Sequence, residues 1–425
     1  MSRALRSGIC CLATLLAANV QAADWPAFRG PHGDGTTEAT SVPVKWSATD
    51  SIRWKVKLPQ PGNGSAIVVG PRVFVTSAED SEGKQRSLYA FDLQTGKQLW
   101  KETVTIDRVM PTHKTNPYAG STPASDGNVV VVWHATGGLH CYDVEGRPLW
   151  HREFGEFKHI WGYGSSPIIE GDRVFLHTGP GQKVFLVALD LKTGDTLWQQ
   201  EEPVDGDGSN TTDKRYFGSW ATPVMTTVNG QRQLILSMPK RLNAYDPATG
   251  QLLWSSEGMG HKGGDLSYSS PIVVGELVFI TAGFGGPAMG VKLGGTGDVT
   301  ASHRLWRNEK NPQSIGTGVV VDGYVYRPNA GPGTIQCIDP TSGRVLWENR
   351  AGGGDHWASI VLAGGLAYAT NQNGTTVVFR PSPEKYDEVA QNKLDEHTNA
   401  TPAIVDGAVV IRTFENLVCI QSESR

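Results

Sequence analysis

The chain has 425 residues, Lys+Arg 38 against Asp+Glu 42, a formal net charge of −4, 39% apolar and 19% charged residues. That composition folds, and its near-balanced charge excludes a basic nucleic-acid binder or a disordered acidic tail. Gly 51 beside Trp 13 implies many tight turns and many large packing anchors, the mixture of an all-β protein with short strands.

Arg3 and Arg6 precede an apolar stretch from Ile9 to Ala18, and Val20-Gln21-Ala22 offers the small residues that a signal peptidase reads. Cleavage after Ala22 is predicted, with export to the periplasm or beyond the cell. The stretch is short for a bilayer span and no comparable run follows, so no membrane span is expected. Losing the two arginines takes the charge from −4 to −6. Residues 23–50 read as a leader segment and 51–425 as a single domain. Of the five cysteines, Cys10 and Cys11 leave with the signal. Cys141, Cys337 and Cys419 stay, in widely spaced apolar segments without metal-like spacing, and read as core residues.

An internal repeat dominates the rest. YAFDLQTGKQLW ends at Trp100, HCYDVEGRPLW at Trp150, VALDLKTGDTLW at Trp198, NAYDPATGQLLW at Trp254 and QCIDPTSGRVLW at Trp347. The shared string is small-x-Asp-x-x-Thr-Gly-x-x-x-Trp, with Cys141 and Cys337 where sister segments carry Ala90, Ala188 and Ala244. The Asp accepts backbone N–H groups at the turn, the Gly supplies a permissive φ, and the Trp is large enough to bury against the next repeat. Before each string a strand–turn–strand unit begins, usually after Ser or Thr-Pro. The entry points are Gly64, Ser121, Ser165, Ala221, Ser269, Gly316, Trp357 and Ala400, which makes eight repeats of four strands. The eighth lacks its outer strand, and residues 51–58 at the other end of the chain, with Trp54 in register, can supply it. Trp306 extends the Trp series, and the seventh repeat, near Tyr386, has none. Ends that complete one another predict an eight-bladed β-propeller of four-stranded antiparallel blades. Irregularity between Gly283 and Thr300 leaves seven blades with one insertion as the alternative.

From about Asp24 to Arg425 the chain resembles the pyrroloquinoline-quinone (PQQ) repeat superfamily, whose Trp-docking motif is the string above. The opening WPAFRGPHGDG, Trp25 to Gly35, is similar to the leader of exported PQQ-like propellers. The superfamily also includes BamB-like propellers of the outer-membrane assembly machinery and quinoprotein dehydrogenases, so the motif implies a fold and leaves the chemistry open.

The loops leading into the inner strands meet at one face of such a ring. They carry His113, Lys114, Asn116 and Tyr118; His159, Trp161 and Tyr163; Arg215, Tyr216 and Trp220; His261, Asp265 and Tyr268; Asp355, His356 and Trp357; and Glu396, His397 and Asn399. Imidazoles, indoles and a few carboxylates converging on one funnel suit a polar ligand. The expected function is therefore non-catalytic: an exported, monomeric propeller holding a polar small molecule, a saccharide or a protein partner at the funnel, with no catalytic residue, metal or cofactor. One alternative is a quinoprotein oxidoreductase of alcohols or sugars. The resemblance implies that such an enzyme holds PQQ and Ca²⁺ with adjacent cysteines and an Asp/Glu/Asn set. The mature chain has no adjacent cysteines, and Asp265, Asp355, Glu396, Asn116 and Asn399 are its candidate oxygen ligands. A polysaccharide-acting lyase or hydrolase, with His and Tyr as acid and base, is the other.

Overall fold

The computed structural model describes residues 24–203 and 216–421. The signal sequence and Arg215 lie outside the described residues. Eight antiparallel blades form a closed ring, as expected, and the seven-blade alternative falls. Inner strands occupy Ile67–Val69, Ala124–Ser125, Ile168–Glu170, Val224–Val228, Ile272–Val274, Val319–Val321, Val361–Ala363 and Ala403–Val405. Each begins three or four residues beyond its predicted entry point. The strand Ile52–Lys57 pairs antiparallel with the last strand, Asn416–Gln421, placing Trp54 opposite Cys419 and completing blade eight. The irregular stretch of repeat five is absorbed locally. Gly297–Asp298 adds a parallel fifth strand to blade four, and a one-turn helix, Thr300–His303, leads into blade five's outer strand, Arg304–Asn308.

Two bonded series hold neighbouring blades together. In the first, the repeat indoles donate across the blade boundary: Trp54 Nε1–H to the Leu93 carbonyl (2.8 Å), Trp100 to Val144 (3.0 Å), Trp150 to Leu191 (2.8 Å), Trp198 to Pro247 (3.0 Å), Trp306 to Pro340 (2.8 Å) and Trp347 to Ser382 (2.8 Å). The turn glycine of the receiving blade lies against the ring. At Gly194 φ is +72°, and a Cβ would stand 2.5 Å from Trp150 Cδ2, so the residue is fixed by conformation and by space together. Trp254 departs from the series. Repeat five has no Asp-x-x-Thr-Gly turn to receive it, and its Nε1–H donates to Gln233 Oε1 of its own blade (2.9 Å).

The second series is a circuit of hydroxyls at the start of the inner strands. Ser65, Thr122, Ser166, Thr222, Ser270, Thr317, Ser359 and Thr401 alternate around the ring. Ser65 N–H donates to Thr122 Oγ1, Thr122 N–H to Ser166 Oγ, and Ser166 N–H to Thr222 Oγ1. Ser270, Thr317 and Ser359 continue the pattern, and Thr401 N–H returns to Ser65 Oγ at 2.9 Å. Among the described residues the Thr222-to-Ser270 link is the one not made.

Cys141, Cys337 and Cys419 are free and fully buried. Burial pushes their thiols up to about 12, 11 and 12 respectively, which leaves them protonated and inert.

The leader packs across the ring's other face, where inner strands turn into second strands. Asp24 accepts from Gly70 N–H, Trp25 bridges to Val68, and Pro26 accepts from Ser125 N–H. Buried Arg29 donates to the Gly318 carbonyl, Thr36 bridges to Leu362, and Ser41 accepts from Gly407 N–H. Farther on, Trp46 is buried, stacks on Tyr368 with the rings 8° from parallel, and donates its backbone N–H to Asn392. It thus contacts the one blade whose outer strand carries no tryptophan.

Trp54→Ala removes a buried indole and its bond at the closing blade, and should cost about 3 kcal/mol or more in denaturant unfolding. Gly194→Ala, which changes one methyl group at a turn, should destabilise by about 1 kcal/mol or more, whereas Gly171→Ala, whose Cβ would meet nothing within 4 Å, should cost less.

Candidate functional site

The approach loops and the hydroxyl circuit enclose a cavity of about 350 Å³ on the ring axis, with Phe28 of the leader among its walls. Because the leader lies over the opposite face, the channel is a blind pocket rather than a pore.

One side of the cavity is aromatic. Trp161 stands 5.9 Å from Trp220 and edge-on to Phe284 at 5.5 Å, and Trp220 stands 5.3 Å from Tyr268. All four line the space. Tyr216 backs Trp161 at 4.7 Å between centroids without lining the cavity. The wall is fixed by short parallel pairing between Tyr216–Ser219 and Gly264–Ser267, which ties the approach loops of blades four and five. Phe284 is 42% exposed and has a left-handed backbone, φ +50°, although glycines flank it on both sides. An exposed aromatic ring in a conformation that glycine would adopt freely is strain retained for what the ring touches.

The other side is built of carboxamides. Asn63 Nδ2 donates to Asn116 Oδ1 at 3.1 Å, Asn116 Nδ2 to the Trp161 and Tyr163 carbonyls, and Asn399 Nδ2 to Asn63 Oδ1 at 3.1 Å. Blades one, two and eight are thereby linked across the rim. His113 Nδ1 is engaged by Thr115, 2.7 Å from its Oγ1 and 3.3 Å from its backbone N–H, so the nitrogen left for the cavity is Nε2. The Gln313 carboxamide makes no hydrogen bond among the described residues. Among the described residues no Asp, Glu, Lys or Arg lines the cavity.

Of the residues singled out in the sequence, His113, Asn116, Trp161, Trp220, Tyr268, Trp357 and Asn399 line the cavity. The others hold loops. His159 takes Trp161 N–H on Nδ1 and donates from Nε2 to the Phe217 carbonyl at 3.1 Å. His261 accepts Gly263 N–H and donates to the Gly283 carbonyl at 3.0 Å, anchoring the Phe284 loop. His356 is fully buried and donates to the Ala351 carbonyl, and burial pulls its imidazole below the ordinary value. Tyr118 donates to the Met110 carbonyl and Tyr163 to the Tyr118 carbonyl. Asp265 is buried with Lys240 Nζ 3.7 Å away, Asp355 is held above the usual carboxylate range by burial, and Glu396 bonds Lys55, Thr413 and Asn416. His397 is exposed and edge-on to Phe414. The sequence reading missed Phe28, Asn63, Thr115, Phe284 and Gln313. Asn63 precedes an entry point as the chosen residues do, and Phe284 was hidden in a glycine-rich loop.

Among the described residues no group of three or more His, Cys, Asp or Glu is arranged to hold a metal ion. None of their helices is long and apolar enough to cross a membrane.

A family model described as outer membrane protein assembly factor BamB matches residues 36–114 and 84–349. The outer membrane protein assembly factor BamB of Burkholderia pseudomallei (strain K96243) is 22% identical over 364 residues, covering 75% of this chain and 84% of the relative. BamB from Moraxella catarrhalis superposes with a TM-score of 0.59 at 16% identity, covering 87% of this chain and 99% of that one. A quinohemoprotein alcohol dehydrogenase from Comamonas testosteroni superposes with a TM-score of 0.66 at 14% identity, covering 95% of this chain and 81% of that one. At these identities the structural likeness establishes the fold alone. With the family match spanning most of the chain and eight four-stranded blades closed by its two ends, the protein belongs to the BamB-type family of PQQ-like repeat propellers.

Proposed function

We propose that this is an exported, non-catalytic propeller that holds a polar ligand, free or as part of a partner, in its blind axial pocket. The observation that carries the reading is the pocket's division into an aromatic wall and a carboxamide wall, with spare polar groups at His113 Nε2 and Gln313 and no Asp, Glu, Lys or Arg among the described residues that line it. Such a lining binds and orients, and among the described residues His113 and Tyr268 are its titratable groups. Export is supported by the basic-then-apolar start and the small residues before Ala23, and by relatives described as outer membrane assembly factors.

The quinoprotein alternative draws on the fold and on partial sequence matches, to a polyvinylalcohol dehydrogenase of Pseudomonas sp (28% identical, 36% of this chain and 25% of the relative) and to the quinoprotein alcohol dehydrogenase PedH of Pseudomonas putida (30% identical, 32% of this chain and 21% of the relative). Ca²⁺ takes six to eight oxygen ligands, typically including carboxylates, and PQQ is itself a polycarboxylate that needs cationic or metal partners. Asp265, Asp355 and Glu396, the carboxylates proposed from sequence, lie outside the lining, and among the described residues no Arg or Lys lies within it. These residues do not fit the pair, and no redox step is assigned. Glycan hydrolysis by a carboxylate pair has none to draw on among the described lining residues, while the His and Tyr reading has His113 and Tyr268 there without a further observation that favours it.

Purification from the exported fraction, denaturation and mass spectrometry of released compounds or co-purified proteins tests the reading. Gln313→Ala combined with Trp357→Ala should leave the melting temperature within a few degrees and reduce the retained species roughly tenfold. Retention equal to that of the unmodified chain would remove the pocket from the function.

A further inference from the structure

We infer that the pocket takes an uncharged saccharide, on the order of one or two pyranose rings. This rests on the binding reading above and names its ligand. A pyranose has apolar C–H faces and an equatorial belt of hydroxyls, so it needs a flat aromatic surface and a neutral hydrogen-bonding surface opposite. The cavity presents both. Trp161 and Trp220, tilted 36° to one another, and Phe284, edge-on to Trp161, offer individual ring faces for the first. Gln313, His113 Nε2 and the hydroxyl circuit give the second.

The circuit matters for its polarity. Seven of its hydroxyl oxygens each accept a backbone N–H from the neighbouring blade, and for none of those seven is a protein acceptor found among the described residues. Their O–H groups are therefore free to donate into the cavity that they line. Uncharged donors of this kind suit ether and hydroxyl oxygens, while an anion would lose hydration without gaining a counter-charge. The buried guanidiniums Arg29, Arg86, Arg327 and Arg412 lie outside the lining. Arg412 donates to the carbonyls of Gln60, Gly64 and Ala119, and Arg86 to those of Gly83 and His134; neither lines the pocket. The leader's closure of the far face favours the end of a glycan over a chain threaded through the ring.

Isothermal titration of the purified chain with cellobiose, maltose and N,N′-diacetylchitobiose, beside digalacturonic acid and PQQ, tests the assignment. At least one neutral disaccharide should bind, roughly tenfold or more tighter than the uronate. Phe284→Ala, at an exposed ring whose loop is held by backbone bonds, should weaken that binding roughly tenfold with an unchanged melting curve, and Phe284→Tyr should restore it. Tighter binding of digalacturonic acid or PQQ, weakened by Phe284→Ala, overturns the saccharide and keeps the pocket. Heat from no probe, with the Gln313→Ala/Trp357→Ala variant still losing its retained species, does the same. Heat from no probe together with undiminished retention in that variant overturns ligand and pocket alike.

Discussion

The circuit of backbone N–H to hydroxyl bonds around the axis constrains everything else in the molecule. A serine or threonine precedes each inner strand, seven of the eight receive the amide of the neighbouring blade on their oxygen, and Thr401 passes the pattern back to Ser65. A bond of this kind contributes about 1 kcal/mol net. Its larger effect is geometric, because it fixes the spacing of the inner strands and therefore the bore of the channel. The tryptophans act at greater radius, each indole donating to the next blade's turn, so inner and outer rings of contacts set the angle between blades together.

Both series fail at the junction of blades four and five. Thr222 does not reach Ser270, and Trp254 turns to Gln233. Other contacts take over there. Ser219 Oγ donates to the Ser237 carbonyl, Ser267 Oγ to Ser237 Oγ, and the strands Tyr216–Ser219 and Gly264–Ser267 pair in parallel. Trp220 and Tyr268, each one residue beyond a paired strand, are carried to the cavity by these replacements. The aromatic wall is thus built where the repeat is least regular, which is where a fold assembled from copies can acquire a local property without disturbing the rest.

How much could be read beforehand follows from the same distinction. The repeat period, the entry points and the closing strand at 51–58 were legible because each is stated several times over in the sequence. The cavity was legible only in part. His113, Trp161 and Trp357 sit in loops of unusual composition and do line it, but His159, His261 and His356 occupy comparable loops and spend their nitrogens on carbonyls. Loop composition does not distinguish an imidazole facing an axis from one fastening a backbone, since that depends on which carbonyls a distant blade presents. Phe28 was unreadable for a different reason: nothing local says that a leader will fold across the far end of a ring.

Joining the first strand to the last also imposes an order on biogenesis. Ile52–Lys57 has no partner until Asn416–Gln421 has been synthesised and has crossed any membrane in its path. Until then a segment with apolar and β-branched residues presents an unpaired edge. Such long-range pairing is slow to form, so newly made chains should depend on a holding chaperone for longer than a protein of equal size with locally completed sheets.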